Sequence, residues 1–194
     1  MTHSQSGAQE TQGMLSPFLA RQRYKHAARF VAGNDMVLDI GCGSGAFRKY
    51  LPKNATYFGA DTVRHWDEAD PHFFVTKVGQ PLPGQLRKQR VSAVTALALI
   101  EHLSEPGQLF RDAGRVLPEG GRLILTTPHP LGRKVHDFGG KLGIFSSDAS
   151  EEHEEFLDKR MMKRLAEREG FELVRYRRFL FWMNQVAVFE KTAS

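Results

Sequence analysis

The sequence has little cysteine and no long apolar run. Cys42 is the single cysteine in 194 residues, which excludes an internal disulfide framework and a cysteine-rich zinc site. No window reaches the 18 or more apolar residues of a membrane-spanning helix. Residues 1–13 lack the apolar block of a secretory signal, and we expect a disordered tail there. The sequence therefore predicts a soluble, cytoplasmic protein.

What is present is the composition of one globular domain. Hydrophobic residues make up 41% and charged residues 25%, and phenylalanine occurs 14 times, which excludes a disordered chain. A chain of this length can bury a sizeable core without disulfides. The formal net charge of +5 permits a nucleic-acid or anionic-lipid partner without requiring one. We expect a single domain over residues 14–194, after the tail.

Short apolar runs typical of buried strands alternate with helical stretches along most of the chain. This alternation is typical of βαβ units and a mostly parallel sheet. The predicted helices are Leu15–Val31 (starting at Ser16-Pro17), Ala46–Leu51 and Pro106–Leu117, and the predicted strands are Met36–Ile40, Ala55–Ala60, Phe73–Thr76, Val91–Leu97 and Arg122–Thr127.

The C-terminal part follows a different pattern. Phe156–Glu169 is predicted to be a helix that Gly170 ends. The strand-like runs Phe171–Phe181 and Met183–Lys191 are joined by a short link, which predicts an antiparallel hairpin. The expected fold class is therefore α/β, a doubly wound Rossmann-like sheet, mostly parallel, with the antiparallel hairpin at one edge. The expected inner face of the helix consists of Phe156, Leu157, Met161 and Leu165.

The longest irregular stretch is Pro128–His153, which follows the fifth predicted strand. Open α/β sheets bind ligands beyond the carboxyl ends of their strands, and loops of this length are often lids. A solvent-exposed insertion explains the stretch equally well.

Three glycines mark the most informative turn. Gly41, Gly43 and Gly45 follow a predicted strand and precede a predicted helix. Glycine allows positive φ and the close approach of a ligand. With Ala46, the pattern also fits the G-x-G-x-x-G/A turn of dinucleotide-binding proteins, in which a pyrophosphate lies at the helix N-terminus.

Two acidic residues bear on the choice of cofactor. Asp39 lies two residues before the first glycine, where a carboxylate would repel a pyrophosphate and attract a cation. S-adenosylmethionine carries an ammonium and a sulfonium and no phosphate, so Asp39 favours that cofactor. Asp61 ends the second strand, where a carboxylate can accept the ribose hydroxyls of either cofactor.

Four ordered motifs, VLDIGCGSG, the acid in GADTV, LALIEHL and GRVLPEGGRLILTTP, carry a family resemblance between Met36 and Pro128. They resemble the class I S-adenosylmethionine-dependent methyltransferases, with the nearest likeness to the branch of ubiquinone-biosynthesis O-methyltransferases and small-molecule and glycan methyltransferases. The resemblance implies methyl transfer to an oxygen or nitrogen atom of a small-molecule acceptor. The cofactor-binding residues that we expect are Asp39, Gly41, Cys42, Gly43, Gly45, Asp61, Thr62, Ala96 and Leu97.

One departure from the family concerns the adenine. The family often has an acidic residue after the third strand, whereas this chain has Thr76-Lys77-Val78. We therefore expect backbone contacts to the adenine there.

The chemistry itself does not require a conspicuous catalytic residue. Positioning supplies much of the rate of a methyl transfer, and a base is needed only where the acceptor must lose a proton. In the pair Glu101-His102, His102 is the candidate base, although the pair can also pack locally and cap the next helix. His129 and His136, in the long loop, are candidate contacts to the acceptor. No metal site is expected, because metal-ligand spacing is lacking.

Other functions remain open at this stage. The cations Arg175, Arg177 and Arg178 alternate with aromatic residues, as in an RNA-binding surface, but a strand with apolar residues inside and charges outside gives the same pattern. We expect a small-molecule acceptor rather than nucleic acid. The alternatives are an RNA methyltransferase, a protein that binds the cofactor without catalysis, and a nicotinamide dehydrogenase. Since no separate substrate domain is predicted, a homodimer could complete the acceptor pocket.

Overall fold

The computed structural model describes residues 6–64, 70–87, 89–130 and 157–193. Within those ranges, no helix combines the length and the apolar character needed to cross a membrane. The α-helices are α1 (Ser6–Ala28), α2 (Gly84–Arg87), α3 (Gly107–Val116) and α4 (Lys159–Arg168). The strands are β1 (Met36–Ile40), β2 (Thr56–Asp61), β3 (Phe73–Val75), β4 (Ala93–Leu97), β5 (Arg122–Pro128), β6 (Phe171–Phe179) and β7 (Asn184–Lys191).

One seven-stranded sheet organises these elements, in the order β3-β2-β1-β4-β5-β7-β6. Strands β1 to β5 pair in parallel, and β7 runs antiparallel to both β5 and β6. The strand order changes direction beside β1, which pairs with both β2 and β4. Such a switch point creates a crevice outside the carboxyl ends of the strands. The predicted α/β fold with an antiparallel edge is confirmed.

Helix α1 begins earlier than the sequence indicates. Residues 6–13, which were expected to belong to a disordered tail, are its first turns, and residues 1–5 lie outside the described residues. Pro17, expected at the helix start, lies inside the helix. The preceding residues include alanine, glutamine and glutamate, which favour a helix, and the fixed φ of proline fits helical geometry even though its ring removes one hydrogen bond.

The helix predicted over Ala46–Leu51 is a 3₁₀ helix, Ala46–Tyr50. It follows a glycine in the left-handed conformation, and Leu51 is extended, as expected of a residue before proline. With five residues between these two limits, the tighter 3₁₀ form is favoured. A second 3₁₀ helix, Ile100–His102, follows β4.

Two apolar cores cover the two faces of the sheet, because successive side chains of a strand point to opposite faces. On β1, Leu38 belongs to the core beneath α2, α3 and α4, and Val37 belongs to the core beneath α1. Both residues are fully buried. The strands near the centre of the sheet are thus covered on both faces, which explains why they appear as continuous apolar runs in the sequence.

The buried face of α4 differs from the predicted one. Met162 and Ala166 are fully buried, whereas Met161 is 37% exposed, so its assignment to the inner face was wrong. Asp158 caps the helix by accepting a hydrogen bond from Met161 N (2.8 Å), which sets the phase at which residues enter the core. Leu157 is buried as predicted and Leu165 packs against the core, and Phe156 lies outside the described residues.

The C-terminal hairpin ends the sheet, and its strands β6 and β7 are shorter at the turn than the predicted runs. Gly170 has a φ of +76° and ends α4 as predicted. Asn184, the first residue of β7, pairs with Pro128, the last residue of β5. The turn of the hairpin, residues 180–183, therefore lies at the same edge of the sheet as the carboxyl ends of the parallel strands.

Two neighbouring methionines test the phase of α4. Replacing the buried Met162 with alanine is expected to lower the free energy of unfolding by about 2–5 kcal/mol, because it leaves a cavity in the core. Met161→Ala, at the exposed neighbour, is expected to change it by less than about 1 kcal/mol. Urea denaturation followed by circular dichroism gives both values. Equal losses would contradict the phase described here.

Candidate active site

The glycine turn adopts a conformation that few other residues could take. Gly41, Gly43 and Gly45 have φ values of +73°, +51° and +70°, which lie in the left-handed region that glycine enters without strain. The N–H groups of Gly41 and Cys42 donate to the carbonyl of Ala60 on β2, at 2.8 and 3.2 Å. The turn is thereby fixed above the carboxyl end of β1, as the sequence predicts.

The missing side chains leave space on one side of the turn. A Cβ at Gly41 would lie 3.0 Å from the side chain of Leu99, so this glycine packs against the segment that follows β4. A Cβ at Gly43 would meet no atom within 4 Å. The backbone at Gly43 is therefore open to a ligand.

Asp61 joins the glycine turn. Its Oδ2 accepts a hydrogen bond from Gly43 N (2.7 Å), and its Oδ1 accepts one from Thr62 N (2.7 Å) and a longer one from Thr62 Oγ1 (3.3 Å). The structure thus brings together Asp61, Thr62 and the glycines, which the sequence assigned to one cofactor site. The bond to Gly43 also holds the turn in its left-handed conformation.

Asp39 lies beneath the turn and is almost completely buried, with 2% of its surface exposed. It accepts hydrogen bonds from Tyr57 Oη (2.7 Å) and Thr95 Oγ1 (2.6 Å). Burial raises the pKa of Asp39 to about 6; the two hydroxyls oppose this shift and the charge of Asp61 adds to it. Because both donors are neutral, a cationic ligand placed here would compensate for the cost of burying the carboxylate.

This arrangement fits S-adenosylmethionine. The buried carboxylate of Asp39 suits the ammonium of that cofactor, and the open backbone of the glycine turn allows its close approach. The second carboxylate, at the end of β2, suits the ribose hydroxyls. A pyrophosphate at this position would be repelled by the two carboxylates of Asp39 and Asp61.

Cys42 is a packing residue of the turn. It is buried, and its Sγ lies 3.7 Å from the carbonyl oxygen of Gly43. Burial, together with the charges of Asp39 and Asp61, raises the pKa of its thiol. The thiol is therefore neutral near pH 7, which does not suit a nucleophile.

The segment after β4 forms another wall of the site. Ala96 and Leu97, which the sequence assigned to the cofactor, end β4 just before this segment; Ala96 is buried and Leu97 is half-buried. Ala98 has a φ of +56° and donates its N–H to the carbonyl of Thr126 (2.7 Å). Such strain in a residue other than glycine is typical of functional sites. Ala98 and Leu99 were not among the predicted site residues, although they belong to the motif LALIEHL.

A carboxylate from α3 fixes the loop after β3. Asp112 is buried and its Oδ2 accepts a hydrogen bond from Gly79 N (2.7 Å). The sequence showed no acidic residue in Thr76-Lys77-Val78, and the structure brings one to the adjacent backbone from 33 positions away. No local signal could have found this contact, because it depends on how α3 packs.

Within the pair Glu101-His102, the interior position belongs to Glu101. Glu101 is 4% exposed, whereas the side chain of His102 is exposed. Burial raises the pKa of Glu101, and hydrogen bonds from its own backbone and from Thr127, with the charges of His102 and Arg23, oppose the shift. Within the described part of the chain, Glu101 Oε2 makes no hydrogen bond of standard geometry. This carboxylate therefore has the capacity to bind a further donor.

Helix α1 and the hairpin meet beside Glu101. Arg23, whose charge acts on Glu101, donates from Nε to Asn184 Oδ1 (3.2 Å) at the start of β7. His129 is buried and donates its backbone N–H to the carbonyl of Met183 (2.8 Å) in the hairpin turn. Burial, with Arg178, lowers the pKa of His129.

His136 and most of the predicted loop Pro128–His153 lie outside the residues that the structure describes. In the described ranges, no three His, Cys, Asp or Glu side chains are grouped so that they could hold a metal ion. A cleft of about 540 Å³ at the β3 edge, between Phe58 and Phe73 and the region of α2, contains none of the residues assigned to the cofactor.

Asp39 gives the stability of the fold a pH dependence. Its pKa is about 6 in the folded state and about 3.9 in an unfolded chain, so its contribution favours folding at low pH and is lost as the pH rises through 6. In Asp39→Asn this loss is absent, and the stability of the variant relative to the wild type should rise by about 2–3 kcal/mol between pH 4 and 7.5. Urea titrations across this range give the difference.

Asp70→Asn provides the control for this measurement. The pKa of Asp70 is lowered, mainly by the backbone N–H of His72, so this variant should show no comparable gain between pH 5 and 7.5. A difference between Asp39→Asn and the wild type that does not change with pH would contradict the burial of a charged Asp39.

Comparison with protein families supports the assignment of this site. A model described as a methyltransferase domain matches residues 15–176 of the chain. The search of curated proteins gave no match.

Solved structures share the fold. A complex of a methyltransferase activator and a methyltransferase from Haloferax volcanii contains a chain that matches with a TM-score of 0.71 and 15% identity, over 100% of both chains. Magnesium protoporphyrin IX methyltransferase from Synechocystis, with SAH bound, gives 0.60 and 16%, over 95% of this chain and 83% of that one. An S-adenosylmethionine-dependent methyltransferase from Clostridium acetobutylicum gives 0.64 and 10%, over 89% and 92%.

The family match covers most of the domain, and the sheet order, the glycine turn and the two acidic residues agree with it. The chain is therefore an enzyme of the methyltransferase domain family, with S-adenosylmethionine as its cofactor.

Proposed function

We propose that this enzyme transfers the methyl group of S-adenosylmethionine to an oxygen or nitrogen atom of a small-molecule acceptor in the cytoplasm. The observation that carries the proposal is the buried carboxylate of Glu101, which retains hydrogen-bonding capacity beside the cofactor site. A buried acceptor group of this kind selects a ligand that can donate a hydrogen bond, such as a hydroxyl or an amine.

The cofactor site consists of the residues that the sequence indicates. In this proposal the glycine turn and Asp39 hold the methionine part, and Asp61 with Thr62 holds the ribose. Cys42, Ala96 and Leu97 close the pocket around them. Bound S-adenosylmethionine supplies a methyl group that is already activated by its sulfonium charge. The protein therefore has to position the acceptor and accept its proton.

Glu101 takes the role of proton acceptor in place of His102. The carboxylate is buried beside α1 and β5, and its raised pKa makes it a stronger base than an exposed carboxylate. The side chain of His102 is exposed rather than buried, which makes it the less suitable of the two residues to reach a buried acceptor. With a hydroxyl acceptor, Glu101 would accept the hydroxyl proton while the methyl group leaves the sulfur of the cofactor for the acceptor oxygen.

The acceptor would lie between α1, the segment after β5 and the hairpin turn. Arg23 reaches Asn184 across this region, and His129 is held there by Met183. His129 and His136 would then contact the acceptor. The magnesium protoporphyrin methyltransferase, which shares this fold, is named for a small-molecule acceptor.

Two glycines with similar backbones test the cofactor site. Gly43 and Gly120 both have positive φ, and at both a Cβ would meet no atom within 4 Å. Gly43→Ala places a methyl group where the cofactor is proposed to lie and should lower the affinity for S-adenosylmethionine by about tenfold or more. Gly120→Ala carries comparable backbone strain away from the site and should bind like the wild type.

Isothermal titration calorimetry at 25 °C measures both affinities. Equal affinities of the Gly43→Ala and Gly120→Ala proteins would refute the proposed position of the cofactor. Tight binding of NADH by the wild type, without binding of S-adenosylmethionine, would instead indicate a dehydrogenase.

Glu101 and His102 are separated by conservative substitutions. Glu101→Gln removes the proton acceptor and should lower kcat by about 10²–10⁴-fold while leaving the affinity for S-adenosylmethionine unchanged. His102→Gln, at the exposed neighbour, should stay within a few-fold of the wild type. The assay measures formation of S-adenosylhomocysteine with a panel of phenols, catechols, sugars and amines. A larger loss in His102→Gln than in Glu101→Gln would return the role of base to His102.

A further inference from the structure

The turn between β6 and β7 presents two aromatic side chains to solvent. Phe181 is 93% exposed and Trp182 is 68% exposed, and they are the most exposed large hydrophobic residues in the part of the chain that the structure describes. Single exposed apolar residues are common on protein surfaces. Two adjacent aromatic residues at the end of a hairpin form a concentrated apolar tip, which is typical of an interaction site. We call residues 180–183 the aromatic tip.

The backbone holds these side chains outward at an energetic cost. Leu180, Phe181 and Trp182 have φ values of +51°, +53° and +67°, and none of them is glycine. A left-handed conformation at bulky residues persists only where the surrounding structure enforces it. Met183 supplies part of that enforcement, since its N–H donates to the carbonyl of Leu180 (3.0 Å) and its carbonyl accepts from His129 N (2.8 Å).

The base of the hairpin is also fixed to α1. The ring of His26 stacks on Phe179 with ring centroids 4.2 Å apart, and Arg23 donates to Asn184. The two residues that flank the aromatic tip are therefore bonded or packed against the same helix. The tip is a preformed projection.

The two chain segments beside the aromatic tip carry cations and no acidic residues. Residues 11–34 and residues 173–189 contain no aspartate or glutamate. Arg21 and Lys25 lie four residues apart on the exposed side of α1, and the exposed Arg29 follows in the turn directly after the helix. Arg177 and Arg178 are exposed just before the tip.

The two sets of cations adjoin each other. Besides its burial, the charges of both Arg29 and Arg177 lower the pKa of His26, so α1 and β6 contribute to one basic surface. Arg178 acts on His129 in the same way, which places positive charge at the segment after β5 as well. An apolar projection with a basic border is complementary to an anionic surface that has an apolar interior.

The position of the exposed aromatic rings distinguishes between nucleic acid and an anionic membrane as the partner. Nucleic acids stack on aromatic rings that lie along an open sheet face or groove. Here the aromatic face of β6 is covered, since Phe179 is buried beneath His26, and the exposed rings lie at a tip. Phenylalanine and tryptophan beside cations are the residues that enter a bilayer interface.

We propose that the aromatic tip docks this enzyme on anionic membranes, with Phe181 and Trp182 in the interface and Arg29, Arg177 and Arg178 at the lipid headgroups. Because Asn184 pairs with Pro128, the docked tip lies at the sheet edge that carries the glycine turn and Glu101. Docking would then turn the acceptor side of the enzyme towards the bilayer. The docking itself does not depend on the proposed acceptor.

Vesicle binding tests the proposal with the full-length protein. Co-sedimentation with phosphatidylcholine vesicles is compared with that of vesicles containing about 30 mol% phosphatidylglycerol. We expect binding to the anionic vesicles and a loss of about tenfold or more in Phe181→Ser/Trp182→Ser. Arg177→Glu/Arg178→Glu should also lose binding, and added salt should weaken binding of the wild type.

A matched variant controls for the loss of exposed apolar surface. Val63 and Val75 are exposed near the opposite edge of the sheet, and Val63→Ser/Val75→Ser should bind vesicles like the wild type. All variants should retain the thermal unfolding transition and the affinity for S-adenosylmethionine. Failure of the proposed methyl transfer would therefore be seen separately from failure of docking.

Tryptophan fluorescence provides a direct readout. The chain has two tryptophans, so Trp66→Phe leaves Trp182 as the sole reporter. We expect a blue shift of its emission with anionic vesicles and quenching by brominated lipids. Three results would overturn the proposal: no preference for anionic vesicles, binding of single-stranded RNA that excludes vesicle binding, or a homodimer in sedimentation analysis that the tip substitutions dissociate.

Discussion

Two carboxylates hold the glycine turn and the strand beneath it, and the rest of the site depends on them. Asp61 accepts the N–H of Gly43 and so maintains a left-handed backbone that is open to a ligand. Asp39 is buried below the turn with two neutral hydroxyl partners. An isolated buried carboxylate destabilises a fold, and a cationic ligand relieves that cost. Part of the binding energy of a cationic ligand at this position would then come from relief of this cost.

Topology brings the remaining groups to this point. The reversal of strand order beside β1 opens the crevice, and the 3₁₀ helix after β4 buries Glu101 at its edge. Helix α1 and the hairpin approach from the far side, where Arg23 and Asn184 connect them. In the proposed function, cofactor and acceptor would then use different strands of one sheet.

Local patterns were sufficient to predict the sheet and the left-handed glycine turn. Glycines between a strand and a helix, and an acid at the end of the next strand, are signals that do not depend on distant packing. The direction of a side chain in a short helix, by contrast, does depend on distant packing. Glu101 and His102 are adjacent and both polar, and only the packing of the 3₁₀ helix determines that Glu101 enters the interior. The same limit explains why the exposure of Met161 was not predicted, since it follows from the capping bond of Asp158. It also explains why the contact of Asp112 with Gly79 was not predicted, since the two residues are remote in sequence.

The preformed glycine turn has a consequence for the pace of the reaction cycle. The hydrogen bonds that its N–H groups donate to Ala60 and Asp61 are made by the protein alone, so little ordering entropy would be lost when a nucleoside ligand binds. The spent cofactor keeps the ammonium and the ribose, and it would meet the same rigid surface as the methyl donor. Departure of that product, rather than the displacement at sulfur, would then set the steady-state turnover. An enzyme that removes S-adenosylhomocysteine from solution would prevent this product from rebinding.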